Sequence, residues 1–127
     1  MRMVGHGIDI VETARIARMI QQHGDRFLHR CFTAEELAYS HGKREYAQHL
    51  AGRFAAKEAI LKVLGTGWSQ GIAWTDAEVV REASGRPTVR LHGKCREVAH
   101  ALGIDEWWLS ISHIATHATA SAIAVGK

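Results

Sequence analysis

Proline is almost missing from this 127-residue chain, and cysteine occurs only twice, as Cys31 and Cys95. The single proline, Pro87, falls in a turn, and there is no linker, internal repeat or low-complexity segment. The two cysteines are far apart and form no C-x-x-C pair, which excludes a disulfide scaffold and a cysteine zinc site; both are expected to be reduced packing residues. No apolar run approaches the roughly 20 residues of a membrane helix. Met1-Arg2-Met3-Val4-Gly5-His6 lacks the apolar stretch of a secretory signal, so the expectation is a cytoplasmic protein away from membranes. Runs of five or more basic residues and an aromatic single-strand platform are also lacking, and nucleic acid is not expected as a partner.

What is present is ordinary for a soluble globular protein. Hydrophobic residues make up 46% and charged residues 23% of the chain, and its length suits one domain spanning 1–127. Sixteen Lys and Arg against 13 Asp and Glu give a net charge of +3, a balance that permits an acidic partner.

Local patterning predicts helices first and mostly strands later, which is an α+β order. Val4 to Ile8 reads as a strand, after which Asp9 opens an amphipathic helix to about Gln22, with Asp9 and Glu12 as a D-x-x-E capping signature. Thr33-Ala34-Glu35-Glu36 starts a short helix ending near Gly42. The longest helix is expected from about Arg44 to Leu64, stopped by Gly65-Thr66-Gly67. Ile72 to Trp74, Ala77 to Val80 and Thr88 to Leu91 read as strands around the turn Ser84-Gly85-Arg86-Pro87. Gly93 to Leu102 has helical spacing, and Trp107 to Ile114 and Thr119 to Val125 read as final strands.

Four features bear chemistry. Asp9 follows a glycine-flanked strand, although an Asp at a helix start is more often only a cap. On the long helix, Arg53 and Lys57 share one face while Ala51, Ala55, Glu58 and Lys62 share another. A surface pair between Glu58 and Lys62, contributing about 0.2–0.5 kcal/mol, is the plainer account of those two. The alanines at 51, 55, 56 and 59 nevertheless make a surface on which a backbone or ligand can lie closely. A hard cation such as Mg²⁺ takes carboxylate and phosphate oxygens; Asp9 and Glu58 could supply the former while Arg53, Lys57 and Lys62 neutralise the latter. Third, Leu109-Ser110-Ile111-Ser112-His113 lacks the G-x-S-x-G elbow of a serine hydrolase, and its neighbouring residues point to opposite faces. Fourth, Arg15, Arg18, Met19 and Gln22, with Arg26 beyond, form a stripe of cations around a flexible apolar side chain, either a solvated face or a dock for an acidic helix.

Together these segments resemble the holo-acyl-carrier-protein synthases, the small type of 4'-phosphopantetheinyl transferase. The resemblance spans almost the whole chain through Gly7-Ile8-Asp9-Ile10-Val11-Glu12, Ala51-Gly52-Arg53-Phe54-Ala55-Ala56-Lys57-Glu58-Ala59, Lys62, Gly65-Thr66-Gly67, Gly85-Arg86-Pro87 and Ser110-Ile111-Ser112-His113. G-x-D-x-x-E followed about forty residues later by R-F-A-A-K-E-A is the specific combination.

The resemblance implies a small antiparallel sheet packed with a long helix and shorter ones. It implies transfer of 4'-phosphopantetheine from coenzyme A to a serine of apo acyl carrier protein, for fatty acid biosynthesis, releasing adenosine 3',5'-bisphosphate. Asp9 and Glu58 would hold Mg²⁺, with Glu58 and Lys62 as catalytic residues. Lys62 and Gly65 would meet the phosphates, and Arg53, Ser84, Gly85, Arg86, Pro87, Ser112 and His113 would hold the nucleotide. Arg15, Arg18, Met19, Gln22 and Arg26 would meet the carrier, and the assembly would be a trimer with active sites shared between subunits. The serine proton would pass to Glu58 or to a metal-bound water, between which the sequence does not choose. Two other readings use the same residues: a metal-dependent hydrolase of nucleotide phosphoesters, and a non-enzymatic basic adaptor working through the Arg15 stripe.

Overall fold

The helix α4 (Tyr46–Leu64) is the axis on which the rest is built. The computed structural model describes all of residues 1–127 and orders the elements as β1 (Arg2–Glu12), α1 (Thr13–His23), α2 (Asp25–Cys31), α3 (Ala34–Ser40), α4, a 3₁₀ turn (Trp74–Asp76), β2 (Ala77–Arg81), β3 (Pro87–Leu91), α5 (Gly93–Ala101), β4 (Glu106–His113) and β5 (His117–Gly126). Twelve of the 19 residues of α4 are buried, so it carries no single apolar stripe and neighbours surround it. The α+β architecture is as expected.

One face of α4 takes a three-stranded antiparallel sheet in the order β1-β5-β4, while β2 and β3 form a separate hairpin. The alanine surface foreseen on the long helix receives a strand rather than a ligand. Ala55, Ala56 and Ala59 are fully buried, and a Cβ added to Gly7 of β1 would stand 2.1 Å from the Ala59 carbonyl oxygen. No side chain fits there, and this close approach fixes how deeply β1 sits on α4.

The short helix α3 begins as its sequence predicts. Thr33 Oγ1 accepts the Glu36 N–H at 3.1 Å and Glu36 Oε1 accepts the Thr33 N–H at 2.8 Å, a reciprocal capping box. Gly65 ends α4 at φ 76°, in the left-handed region, with its N–H on the Leu61 carbonyl.

Three expectations need correction. Asp9 does not open a helix: β1 continues to Glu12, pairing Asp9 with Ala120 and Glu12 with His117, and α1 starts at Thr13. The ladder to β5 supplies the backbone partners that a helix would otherwise have offered. Ile72 to Trp74 is not a strand. Asp76 Oδ2 accepts the Ala73 N–H at 3.0 Å and winds the following residues into the 3₁₀ turn. Finally, Asp25–Cys31 forms α2, which the sequence reading passed over.

The cysteines are free and buried, as expected. No helix is long and apolar enough to cross a membrane.

Candidate active site

The strand-helix contact at Gly7 brings Asp9 against the middle of α4. Lys62 Nζ donates to Asp9 Oδ1 at 3.1 Å and to the Ile8 carbonyl at 2.8 Å. The i,i+4 surface pair weighed for Glu58 and Lys62 is therefore not what forms. β1 offers the lysine two acceptors, and Glu58 instead receives the indole N–H of Trp68 at 3.4 Å. Burial pushes the Glu58 carboxyl above the usual carboxylate range; the Trp68 hydrogen bond works against this, and the Asp9 charge adds to it. Two carboxylates from different elements thus lie near enough for the charge of one to act on the other, and an exposed lysine pairs with Asp9. Gly65, at the end of α4, lies on the same stretch of helix.

Lys57, grouped with these cations from its sequence position, belongs elsewhere. Its side chain is fully buried in an ion pair with Glu36 at 2.8 Å, and it donates to the carbonyls of Ala77 at 2.7 Å and Trp74 at 3.2 Å. It has no contact left for a phosphate.

A second cluster sits around Arg53. A hollow of about 410 Å³ is lined by His49, Arg53, Arg81, Arg86, Ser110 and His113, with Pro87 and Ile111. The turn between β2 and β3 borders it, closed by the Gly85 N–H on the Glu82 carbonyl at 2.8 Å with Gly85 at φ 90°. Arg86 also pairs with Glu82 at 2.9 Å and lies over the Trp108 ring. His113 Nδ1 meets Gln48 Oε1 at 3.0 Å. Ser84 and Ser112 are exposed but do not line the hollow; Ser112 alternates with His113 and faces the other side of the sheet, beside Thr119.

The hydrogen bonds around Asp9 and the lining of the Arg53 hollow have no residue in common. The charged groups that bear on Glu58 are Asp9, Arg15 and Lys62, whereas those that bear on Arg53 are Arg81 and Glu36, with Tyr39.

A third hollow, of about 340 Å³, opens between α1, α2 and α4. Arg15 and Met19 of α1 and Arg26 of α2 line it, and Arg15 lies over the Phe54 ring at 5.4 Å. Arg18 and Gln22 are exposed outside it. His23, Phe27, Arg30 and Trp74 join the lining and were missed. Phe27 and Arg30 belong to α2; Arg26, Phe27 and Arg30 have the helical spacing that would have revealed them. Trp74 stacks between Phe54 and Trp68 at centroid distances of 4.6 and 3.6 Å, so an aromatic ladder joins this hollow to Glu58.

A carboxylate pair beside a lysine, an arginine-lined hollow and a basic apolar hollow are the three concentrations of polar chemistry on the chain. The profile of the 4'-phosphopantetheinyl transferase superfamily matches residues 5–117, and the chain belongs to that superfamily. Within it the chain is of the small holo-acyl-carrier-protein synthase type. It is 50% identical over 121 residues to the holo-[acyl-carrier-protein] synthase of Koribacter versatilis, covering 95% of this chain and 97% of that one. Its fold superposes on the holo-[acyl-carrier-protein] synthase of Helicobacter pylori in complex with coenzyme A with a TM-score of 0.83, at 29% identity over 94% of this chain and 99% of that one. The synthase from Bacillus anthracis in complex with CoA (3',5'-ADP) gives a TM-score of 0.80 at 32% identity, covering 100% of both chains.

Proposed function

We propose that this chain transfers the 4'-phosphopantetheine group from coenzyme A to a serine of apo acyl carrier protein, giving holo carrier protein and adenosine 3',5'-bisphosphate for fatty acid synthesis. The observation that carries this reading is the meeting of Asp9, Glu58 and Lys62 where β1 crosses α4.

The donor set fits a divalent cation. Asp9 and Glu58 are mutually repulsive carboxylates, and no third Asp, Glu, His or Cys gathers with them, which suits an ion that draws its other ligands from phosphate and water. Asp9 and Glu58 are the residues that hold Mg²⁺ in this reading. The ion supplies charge neutralisation at the pyrophosphate. Lys62 and Gly65 meet the donor's phosphates, and the lysine stabilises charge that grows on the transferring group and the leaving oxygen. The serine oxygen bonds to the β-phosphorus, the bridging P–O bond breaks and its electrons leave on the bisphosphate; the serine proton passes to Glu58 or to water. Glu58→Gln turning over at the full rate in saturating Mg²⁺ excludes Glu58 as the proton acceptor.

Arg53, Arg86 and His113, with Gly85 and Pro87 of the turn, hold the nucleotide end; Ser84 and Ser112, outside the hollow, take no part within one chain. Arg15, Arg18, Met19, Gln22 and Arg26 dock the carrier, whose acidic helix suits them. The active site is completed by a neighbouring subunit in this reading. Ile8, Ile10 and Trp108, exposed by 59%, 66% and 45% on the sheet face away from α4, supply an apolar surface for a homotrimer. Sedimentation of the active enzyme as a monomer excludes the trimer.

Incubation with coenzyme A, Mg²⁺ and apo acyl carrier protein is expected to add one phosphopantetheine to the carrier by mass spectrometry, with no turnover when the carrier is omitted. Absence of the adduct with several carriers, or release of free phosphopantetheine without one, overturns the reading; the latter is what a hydrolase would do.

A further inference from the structure

Asp9 and Glu58 differ in what holds them. Asp9 Oδ1 pairs with a cation, the Lys62 ammonium at 3.1 Å, whereas Glu58 Oε1 accepts from a neutral donor, the Trp68 indole N–H at 3.4 Å. Lys62, one turn further along α4, gives its hydrogen bonds to β1 and none to Glu58. The indole is the one donor that reaches the Glu58 carboxylate, and it leaves Oε2 free.

Trp68 is not on α4. It lies ten residues past Glu58, in a loop that turns back along the helix with left-handed φ at Gly67 and Gly71, 59° and 81°. Ser69 Oγ donates to the Thr66 carbonyl at 2.7 Å and the Ile72 N–H to the Ser69 carbonyl at 3.2 Å, which hold the loop in shape. Stacking sets the plane of the indole. Its ring centroid lies 3.6 Å from that of Trp74, 25° off parallel, and Trp74 lies 4.6 Å from Phe54. Trp74 is anchored in turn, because its carbonyl accepts from the buried Lys57 ammonium at 3.2 Å. An indole nitrogen only donates, so this clamped ring presents Glu58 with a single N–H in a fixed direction.

A glutamate on a helix turns about three side-chain bonds, and an ion that binds it must stop all of them. The indole has already restricted them. At 3.4 Å its contact is longer than the roughly 2.7–2.9 Å of a full charge-assisted bond, so it orients the carboxylate without drawing off much of its charge.

We infer that Trp68 is a positioning residue of the metal site, whose N–H holds Glu58 Oε1 and leaves Oε2 for the divalent ion. The inference rests on Asp9 and Glu58 being the ligands of that ion. Trp68 itself does not touch the ion; it acts through Glu58.

The test is Mn²⁺ binding by the full chain with adenosine 3',5'-bisphosphate present, followed by loss of the free-ion paramagnetic resonance signal, without carrier or turnover. Trp68→Phe keeps a stacking ring and removes the N–H. Its Kd for Mn²⁺ is expected to rise about fivefold, which is what immobilising one long side chain loses. In transfer assays the Mg²⁺ concentration for half-maximal rate should rise by a similar factor, while kcat in saturating Mg²⁺ stays within about twofold. A role in packing alone would spare Trp68→Phe and appear only in Trp68→Leu. A Kd for Trp68→Phe within twofold of the wild type, or tighter, overturns the inference. Should that variant not fold, the four indole N–H resonances of the wild type serve: one should move when Mg²⁺ joins the bisphosphate complex, and the same one should be displaced in Glu58→Gln. Four unmoved resonances overturn the inference as well. A wild type that binds no Mn²⁺ sinks the metal reading and this inference with it. One that binds Mn²⁺ but transfers nothing sinks only the transferase reading, and the Kd of Trp68→Phe still decides the role of Trp68.

Discussion

Lys57 and Lys62 leave the same helix five residues apart, and they have nothing else in common. Lys57 is fully buried, and its Nζ is surrounded by Glu36, the Ala77 carbonyl and the Trp74 carbonyl. Three acceptors need three donors, so the nitrogen is an ammonium. Glu36 is equally engaged, taking the N–H groups of Thr33 and Val79 at 2.8 Å each. This pair ties α3, α4 and β2 together. Lys62 has a side chain 55% exposed, holds Asp9 through one contact at 3.1 Å, and is free to exchange that contact for a ligand oxygen. A lysine that fastens the fold has every N–H committed inward; a lysine that serves chemistry keeps its charge available. Residue type and helical spacing alone cannot separate the two.

The comparison can be broken by removing each charge in turn. Lys57→Met is expected to destabilise the protein by about 3–5 kcal/mol in urea unfolding, because it strands the Glu36 charge in the interior. Replacing both partners, with Glu36→Leu added, should recover part of that loss, although Val79 N–H then lacks its acceptor. If Lys57→Met costs less than about 1 kcal/mol, the pair does not fasten the fold. Lys62→Met should do the reverse. Stability is expected to change by less than about 1 kcal/mol, as for an exposed pair, while kcat/KM falls by about 10²-fold or more through loss of transition-state charge stabilisation. Normal transfer by Lys62→Met places the phosphate contact elsewhere.

The same contrast explains what could be read from the sequence. The long helix, its glycine stop, the Thr33 capping box, the hairpin around Gly85 and the last two strands follow from local signals, and each matches. Asp9 was misread because D-x-x-E is a local cap signature, while its place in β1 depends on pairing with β5 more than a hundred residues away. The destination of Lys57 depends on Glu36 and the 3₁₀ turn, both outside its helix. Missing α2 had a further consequence, since its Phe27 and Arg30 line the basic hollow with Arg15 and Met19. Local pattern therefore located most elements, whereas the end of β1 and the partners of charged side chains came from contacts distant in sequence.

His49 sharpens the contrast at the smallest scale, because it is a half-buried basic group with no Glu36 to keep it charged. Its neighbours Arg53, Arg81, Lys43 and His113 can only repel a proton, so burial and these charges lower its value from 6.5 to about 4. The unfolded chain then binds more protons than the folded one between those two values. Stability from this group is complete above about pH 6.5 and is lost as the pH falls toward 4. After allowance for partial exposure, the loss is about 1 kcal/mol across that window. His49→Phe keeps an aromatic ring against Tyr39 and cannot take up a proton, so melting curves between pH 4 and 7 should show a shallower acid slope for the variant than for the wild type. Equal slopes would mean that the imidazole charges as freely in the folded protein as in the unfolded chain. Burial would then weigh less on His49 than its position beside Arg53 and Arg81 indicates.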